Sequence, residues 1–98
     1  MSAGDWKAMF KAVQDGDLAL VEYYLGAGID PNYQHPEFMA LPLVEAIRFK
    51  ELEIAKILLE NGALPNHKED LEGETAWSVA QQRKHEKAIV LLQPYLKA

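Results

Sequence analysis

Residues 54–66 read Ile54-Ala55-Lys56-Ile57-Leu58-Leu59-Glu60-Asn61-Gly62-Ala63-Leu64-Pro65-Asn66, and this stretch decides the fold. Its first half spaces Ile54, Ala55, Ile57, Leu58 and Leu59 as the buried face of a helix. Asn61-Gly62 ends that helix, because glycine takes the left-handed closing conformation without a steric cost. Leu64-Pro65 then drives the chain extended, since a residue before proline avoids helical angles. A shift of 34 positions lays Leu25 on Leu59, Gly28 on Gly62, Pro31 on Pro65 and Asn32 on Asn66. The same shift pairs Ala12 with Ala46 and Ala80, Leu18 with Leu52, and Leu58 with Leu92. One register accounts for every pair, which is the signature of a repeat architecture.

Working outward, each copy holds two apolar-periodic segments separated by a short polar break. In the second copy a first helix is expected over Pro42 to Phe49, with proline in the opening turn, where its missing N–H costs nothing. Leu43, Ala46 and Ile47 form one face of it, and Lys50-Glu51 break the chain before Leu52. The first copy predicts helices over Trp6 to Gln14 and Leu18 to Leu25, with Asp5 and Asp17 as N-caps. The third predicts Thr75 to Gln82 and His85 to Leu92, with Pro94 kinking or ending the last helix. A helix pair cannot bury its apolar faces alone, whereas stacked pairs share a continuous core. The expected fold is therefore an all-α solenoid of three stacked helix-turn-helix repeats with short finger loops.

Composition agrees and excludes other classes. With 98 residues, 49% hydrophobic and 26% charged, the chain reads as one globular domain spanning 1–98, with repeats at about 1–34, 35–68 and 69–98. The absence of cysteine removes disulfides and thiolate metal sites. A net charge of -5 argues against nucleic acid or an anionic membrane as partner. No apolar run reaches the length of a membrane span, and Met1 to Phe10 lacks a signal-peptide pattern. A chain starting at methionine and ending soon after its last helix reads either as a whole small adaptor or inhibitor or as a piece of a longer protein.

The residues now on the page resemble the ankyrin-repeat family. The best match is Asp70-Leu71-Glu72-Gly73-Glu74-Thr75-Ala76-Trp77-Ser78-Val79-Ala80, with Leu41-Pro42-Leu43-Val44-Glu45-Ala46 and residues 54–66 close behind. The first copy keeps Leu20-Val21 through Leu25, Gly28, Pro31 and Asn32. Phe10, Val44 and Ser78 stand where the family has a histidine, so its hydrogen-bond bracing is expected to be absent. Lys50 and Lys84 fill the turn position of Gly16, and the finger Tyr33 to Ala40 lacks the Asp-x-x-Gly-x-Thr pattern.

The resemblance implies a protein-binding surface made of fingertips and the exposed side of each first helix. By register it comprises Gln14 and Asp15 in the first copy; Glu37, Phe38, Ala40, Arg48 and Phe49 in the second; and Leu71, Glu72, Glu74, Gln82 and Arg83 in the third. Phe49 either anchors a partner, as aromatic and arginine side chains commonly do, or folds back onto Phe38 or Met39. Trp77 falls on a core position, and Trp6 is expected to cap the terminal unit. Tyr23, Tyr24 and Tyr95 are expected to pack with their hydroxyls toward water. Glu69, Asp70, Glu72 and Glu74 read as a solvated acidic fingertip, and Arg83, Lys84 and Lys87 as a solvated basic face.

The sequence has no nucleophile elbow, phosphate-binding glycine loop or His-Glu metal motif. His35, His67 and His85 lack metal-ligand spacing, and the acidic run lacks an EF-hand pattern. The expected function is an adaptor, scaffold or inhibitor that binds another protein, not an enzyme, with no cofactor and a cytoplasmic location. The rival is a structural protein that self-associates through its terminal repeats. Lys7, Lys11, Asp15 and Glu22 at one end, and Arg83, Lys84, Glu86 and Lys87 at the other, favour capped ends and a monomer.

Overall fold

In the computed structural model, which describes residues 3–97, the 34-residue grammar becomes three helix pairs. Met1, Ser2 and Ala98, the ends of the expected 1–98 span, lie outside the described residues. The first pair is α1 (Ala3–Asp15) and α2 (Leu18–Gly26), and the second α3 (Pro42–Arg48) and α4 (Leu52–Glu60). The third is α5 (Ala76–Gln82) and α6 (Glu86–Leu92), followed by a 3-10 helix, Gln93–Lys97, around Pro94. No strand occurs among the described residues. The fold is the all-helical stacked solenoid expected.

The first helices form one row, with α3 packed between α1 and α5, while α2 packs on α4. Ala12, Ala46 and Ala80, the shared register position, are all buried; a small side chain there lets neighbouring helices approach closely. Met9, Val13, Val44, Ile47, Leu58 and Leu92 fill the space between layers, and each removes apolar area from water at roughly 25 cal/mol per Å². Trp77 is half-buried against this core.

Helix ends follow the sequence in detail, with corrections. The Asp17 carboxylate accepts a hydrogen bond from Leu20 N at 3.2 Å and caps α2. Asp5 is not an N-cap, because α1 begins at Ala3 and Asp5 lies inside its first turn. Thr75 and Ser78 close a capping box on α5, each side-chain oxygen accepting the other residue's backbone N–H at 2.9 Å. The expected loss of bracing at Ser78 is thus made good within the third copy.

The turn inside each pair is the same six-residue closure. Asp17 N donates to Ala12 O at 2.9 Å, Glu51 N to Ala46 O at 2.8 Å and His85 N to Ala80 O at 3.0 Å. That geometry puts Gly16, Lys50 and Lys84 at φ +72°, +58° and +52°, so both lysines carry the left-handed strain anticipated for them. Replacing Lys50 or Lys84 with glycine is expected to raise stability by about 1 kcal/mol each, less the extra backbone entropy glycine loses on folding. Urea unfolding of the two single variants checks this, and unchanged or lower midpoints would refute it.

Candidate functional site

Two fingers project between the pairs, and each is held down by different chemistry. The first, around His35 to Ala40, has no family turn pattern, so its anchor comes from α1. Trp6 stacks on Phe10 with ring centroids 4.9 Å apart, and Phe38 meets both rings edge-on at 5.4 Å. His35 joins at 5.6 Å from Trp6, and Trp6 Nε1 donates to Tyr33 O at 3.0 Å. The His35 carbonyl accepts the N–H groups of Phe38 and Met39, which closes the turn. Trp6 is therefore the buried centre of an aromatic cluster rather than a cap at an exposed edge.

The second finger is held by an arginine. Arg48, on the last turn of α3, donates to both oxygens of Glu69, at 3.2 and 2.7 Å, and to Glu74 at 2.8 Å. Glu45 lies 3.4 Å away and Glu72 3.9 Å away. The Glu69 side chain is wholly buried, and its Oε1 also accepts the backbone N–H of Leu41, the N-cap residue of α3 that lacks a capping side chain. Burial opposes the charge on Arg48, but the hydrogen bonds and charges of Glu69 and Glu74 outweigh it and raise its pKa further. The hydrogen bond from Arg48 in turn holds the Glu74 carboxyl below its usual range.

Amide side chains stitch successive units together. Asn32 donates to Gly62 O at 2.8 Å and accepts from Leu64 N at 3.0 Å. Gln34 donates to Lys68 O at 2.9 Å and accepts from Asp70 N at 2.8 Å. Leu71 N donates to Met39 O at 3.1 Å, so the two fingertips lie side by side. Sequence reasoning missed Gln34 and placed Glu69 in solvent rather than in the clamp. For Glu69 a signal existed, because it shares its register with His35, and both are buried.

Several expected surface residues prove to be structural. Ala40 is buried and presents no side chain to a partner; its register mates are Trp6 and Glu74, which both turn inward. Arg48 is not a free anchor but the clamp just described. The acidic run is not a solvated fingertip: Glu69 and Glu74 point in toward Arg48, leaving Asp70 and Glu72 exposed. Gln14 donates to Glu45 at 2.8 Å, Asp15 pairs with Lys11 at 2.9 Å, Glu37 with Lys7 at 3.2 Å, and Arg83 donates to Arg48 O at 3.1 Å. Phe49 is 53% exposed and makes no ring contact with Phe38 among the described residues. Leu71 is 56% exposed, and Glu72 and Gln82 face solvent. Tyr24 and Tyr95 pack against the core as expected, but Tyr23 and Leu20 are exposed, so the α2 end is less polar than its charges suggested.

Among the described residues no group of three or more His, Cys, Asp or Glu side chains could hold a metal ion. No described helix is long and apolar enough to cross a membrane. The chain is similar to the 2-5A-dependent ribonuclease of Mus musculus, 33% identical over 76 residues, covering 78% of this chain and 10% of that protein. It is 37% identical over 57 residues to the 2-5A-dependent ribonuclease of Homo sapiens, covering 58% and 8%. It is 34% identical over 74 residues to the ankyrin repeat and KH domain-containing protein mask-1 of Caenorhabditis elegans, covering 76% and 3%. The chain thus spans a tenth or less of the curated relatives it matches. The family profile described as ankyrin repeats (3 copies) matches residues 9–97, and with the stacked helix pairs and paired fingers it shows that the chain belongs to the ankyrin-repeat family.

Proposed function

We propose that this chain is a protein-protein interaction module, acting in the cytoplasm as an adaptor, scaffold or inhibitor through its fingertips and the ends of its first helices. The ankyrin-repeat family is a non-catalytic scaffold fold that generally mediates protein-protein interactions. The observation that carries the reading here is the division of labour among the surface residues. Gln14, Arg48 and Arg83 are spent on holding units together. Phe49 and Leu71 stay more than half exposed, and Phe38, though packed on Trp6 and Phe10, is still 36% exposed. Aromatic side chains are common energetic anchors of interfaces, with neighbouring apolar residues shielding them from water.

The test is affinity capture from native lysate with the intact chain as bait, repeated with Phe49→Ala. Loss of a specific captured protein with an unchanged thermal midpoint is expected, because half of the Phe49 side chain contributes nothing to the core. Identical capture by both baits would remove Phe49 from the binding surface, and a large drop in the midpoint would make it a packing residue.

A further inference from the structure

The fingertips carry more than the general reading requires. Met39 sits at φ +50°, while the second finger has Gly73 at φ +70° in the same register position. Glycine adopts that conformation freely, and a methionine is strained in it. Met39 is nevertheless 38% exposed. Strained backbone positions cluster at functional sites.

Met39 also has apolar company. Phe38, 36% exposed, precedes it, and Leu71 is tied to it through the bond from Leu71 N to Met39 O. One exposed apolar residue is ordinary, but three on adjoining tips form a platform. Methionine suits such a platform, since its flexible, polarisable side chain adapts to varied apolar partners. Asp70 and Glu72 rim the platform, both exposed. The cations nearby are largely committed: Lys7 pairs with Glu37 at 3.2 Å, and Arg48 holds Glu69 and Glu74 while standing 3.9 Å from Glu72.

We infer that the Phe38, Met39 and Leu71 platform docks a segment of another protein in which a large apolar side chain is flanked by lysine or arginine. The apolar side chain seats on the three residues, and its basic neighbours meet Asp70 and Glu72. Charge complementarity selects this occupant over an acidic or neutral segment, and it sets orientation and association rate more than affinity. The inference rests on the reading of the chain as an interaction module and narrows it to one place and one partner chemistry.

A phage-displayed library of random linear peptides, panned against the intact chain, tests it. Enriched peptides are expected to place lysine or arginine beside leucine, isoleucine, methionine or phenylalanine. A synthetic peptide of the consensus should bind Met39→Gly and Leu71→Ser variants at least about tenfold more weakly, the scale of one lost interface anchor. Its affinity for the unaltered chain should fall as salt is raised. Met39→Gly relieves strain, so its thermal midpoint should equal or exceed that of the unaltered chain, which separates lost contact from lost fold. No enrichment, enrichment without a basic bias, or full affinity for both variants would overturn the inference. Binding lost with Phe49→Ala but kept with Met39→Gly would overturn it too, while leaving the interaction-module reading intact. That reading falls separately, on the lysate capture.

Discussion

Replacing Arg48 with alanine is expected to lower the unfolding free energy by about 3–5 kcal/mol, the cost of removing one partner from a buried ion pair. The penalty comes less from lost attraction than from what is left behind. The wholly buried Glu69 carboxyl group would be left with only the Leu41 N–H donating to it. Glu74, Glu45 and Glu72 would then stand around it without the guanidinium that had joined them. A domain of this size is stable by roughly 5–15 kcal/mol, so the variant loses a large share of its margin. Glu69→Gln should cost much less, because its amide oxygen can still accept from Leu41 N while Arg48 keeps Glu74. The double change Arg48→Met with Glu69→Leu should recover part of the single loss. It cannot recover all of it, because Leu41 N–H then goes unpaired at about 1–3 kcal/mol.

Urea unfolding of the three variants separates these terms. If Arg48→Ala lies within about 1 kcal/mol of the unaltered chain, the pair behaves like an exposed one and the clamp is not structural. Acid provides a second reading of the same contact. The Glu74 carboxyl is held below its ordinary value of 4.5 in the folded chain, so it stabilises the fold above that value, and the contribution drains away as pH falls through the folded one. Without Arg48 that acid-side slope should flatten.

The helices, their pairing and the strained turns at Lys50 and Lys84 were legible because periodicity and backbone geometry are local and recur every 34 residues. The residues that hold the fingers were harder to read. Arg48 meets Glu69 across 21 positions, a distance fixed by how α3 and the second finger stack and by nothing in either segment alone. Transferring exposure by register also assumes that each copy solves the same problem in the same way. Here the copies differ. Trp6, Ala40 and Glu74 share one register position, and the chain fills it with a buried indole, a buried methyl group and an ion-paired carboxylate. Read down that column, Ala40 would have been assigned inward from Trp6 alone. The first finger lost the family's turn residues and gained an aromatic anchor, while the second kept the turn and gained the arginine.

That difference makes the first finger the more fragile one, and Trp6→Ala is expected to cost about 3–5 kcal/mol, the usual range for emptying a buried aromatic site. The indole is nearly fully buried, and it contacts Phe10, Tyr33, His35 and Phe38 together. Such ring pairs add about 0.5–1.5 kcal/mol each beyond their buried area. Trp6→Phe isolates the polar part. A phenyl ring can keep the stack on Phe10, but the Tyr33 carbonyl loses the Nε1–H donor, at a cost of about 1–3 kcal/mol if no water replaces it. Because α1 packs chiefly on α2 and α3, the loss should concentrate at this end of the stack. Nearest-neighbour solenoids unravel that way when a terminal unit is weakened. The Trp6→Ala transition should therefore broaden, with a lower urea dependence, while fluorescence from the remaining Trp77 reports the third pair unfolding later than far-ultraviolet circular dichroism reports lost helix. Coincident transitions by both probes would show that the stack melts as one unit. A loss below about 1 kcal/mol would show that Phe10, His35 and Phe38 hold the first finger without the indole.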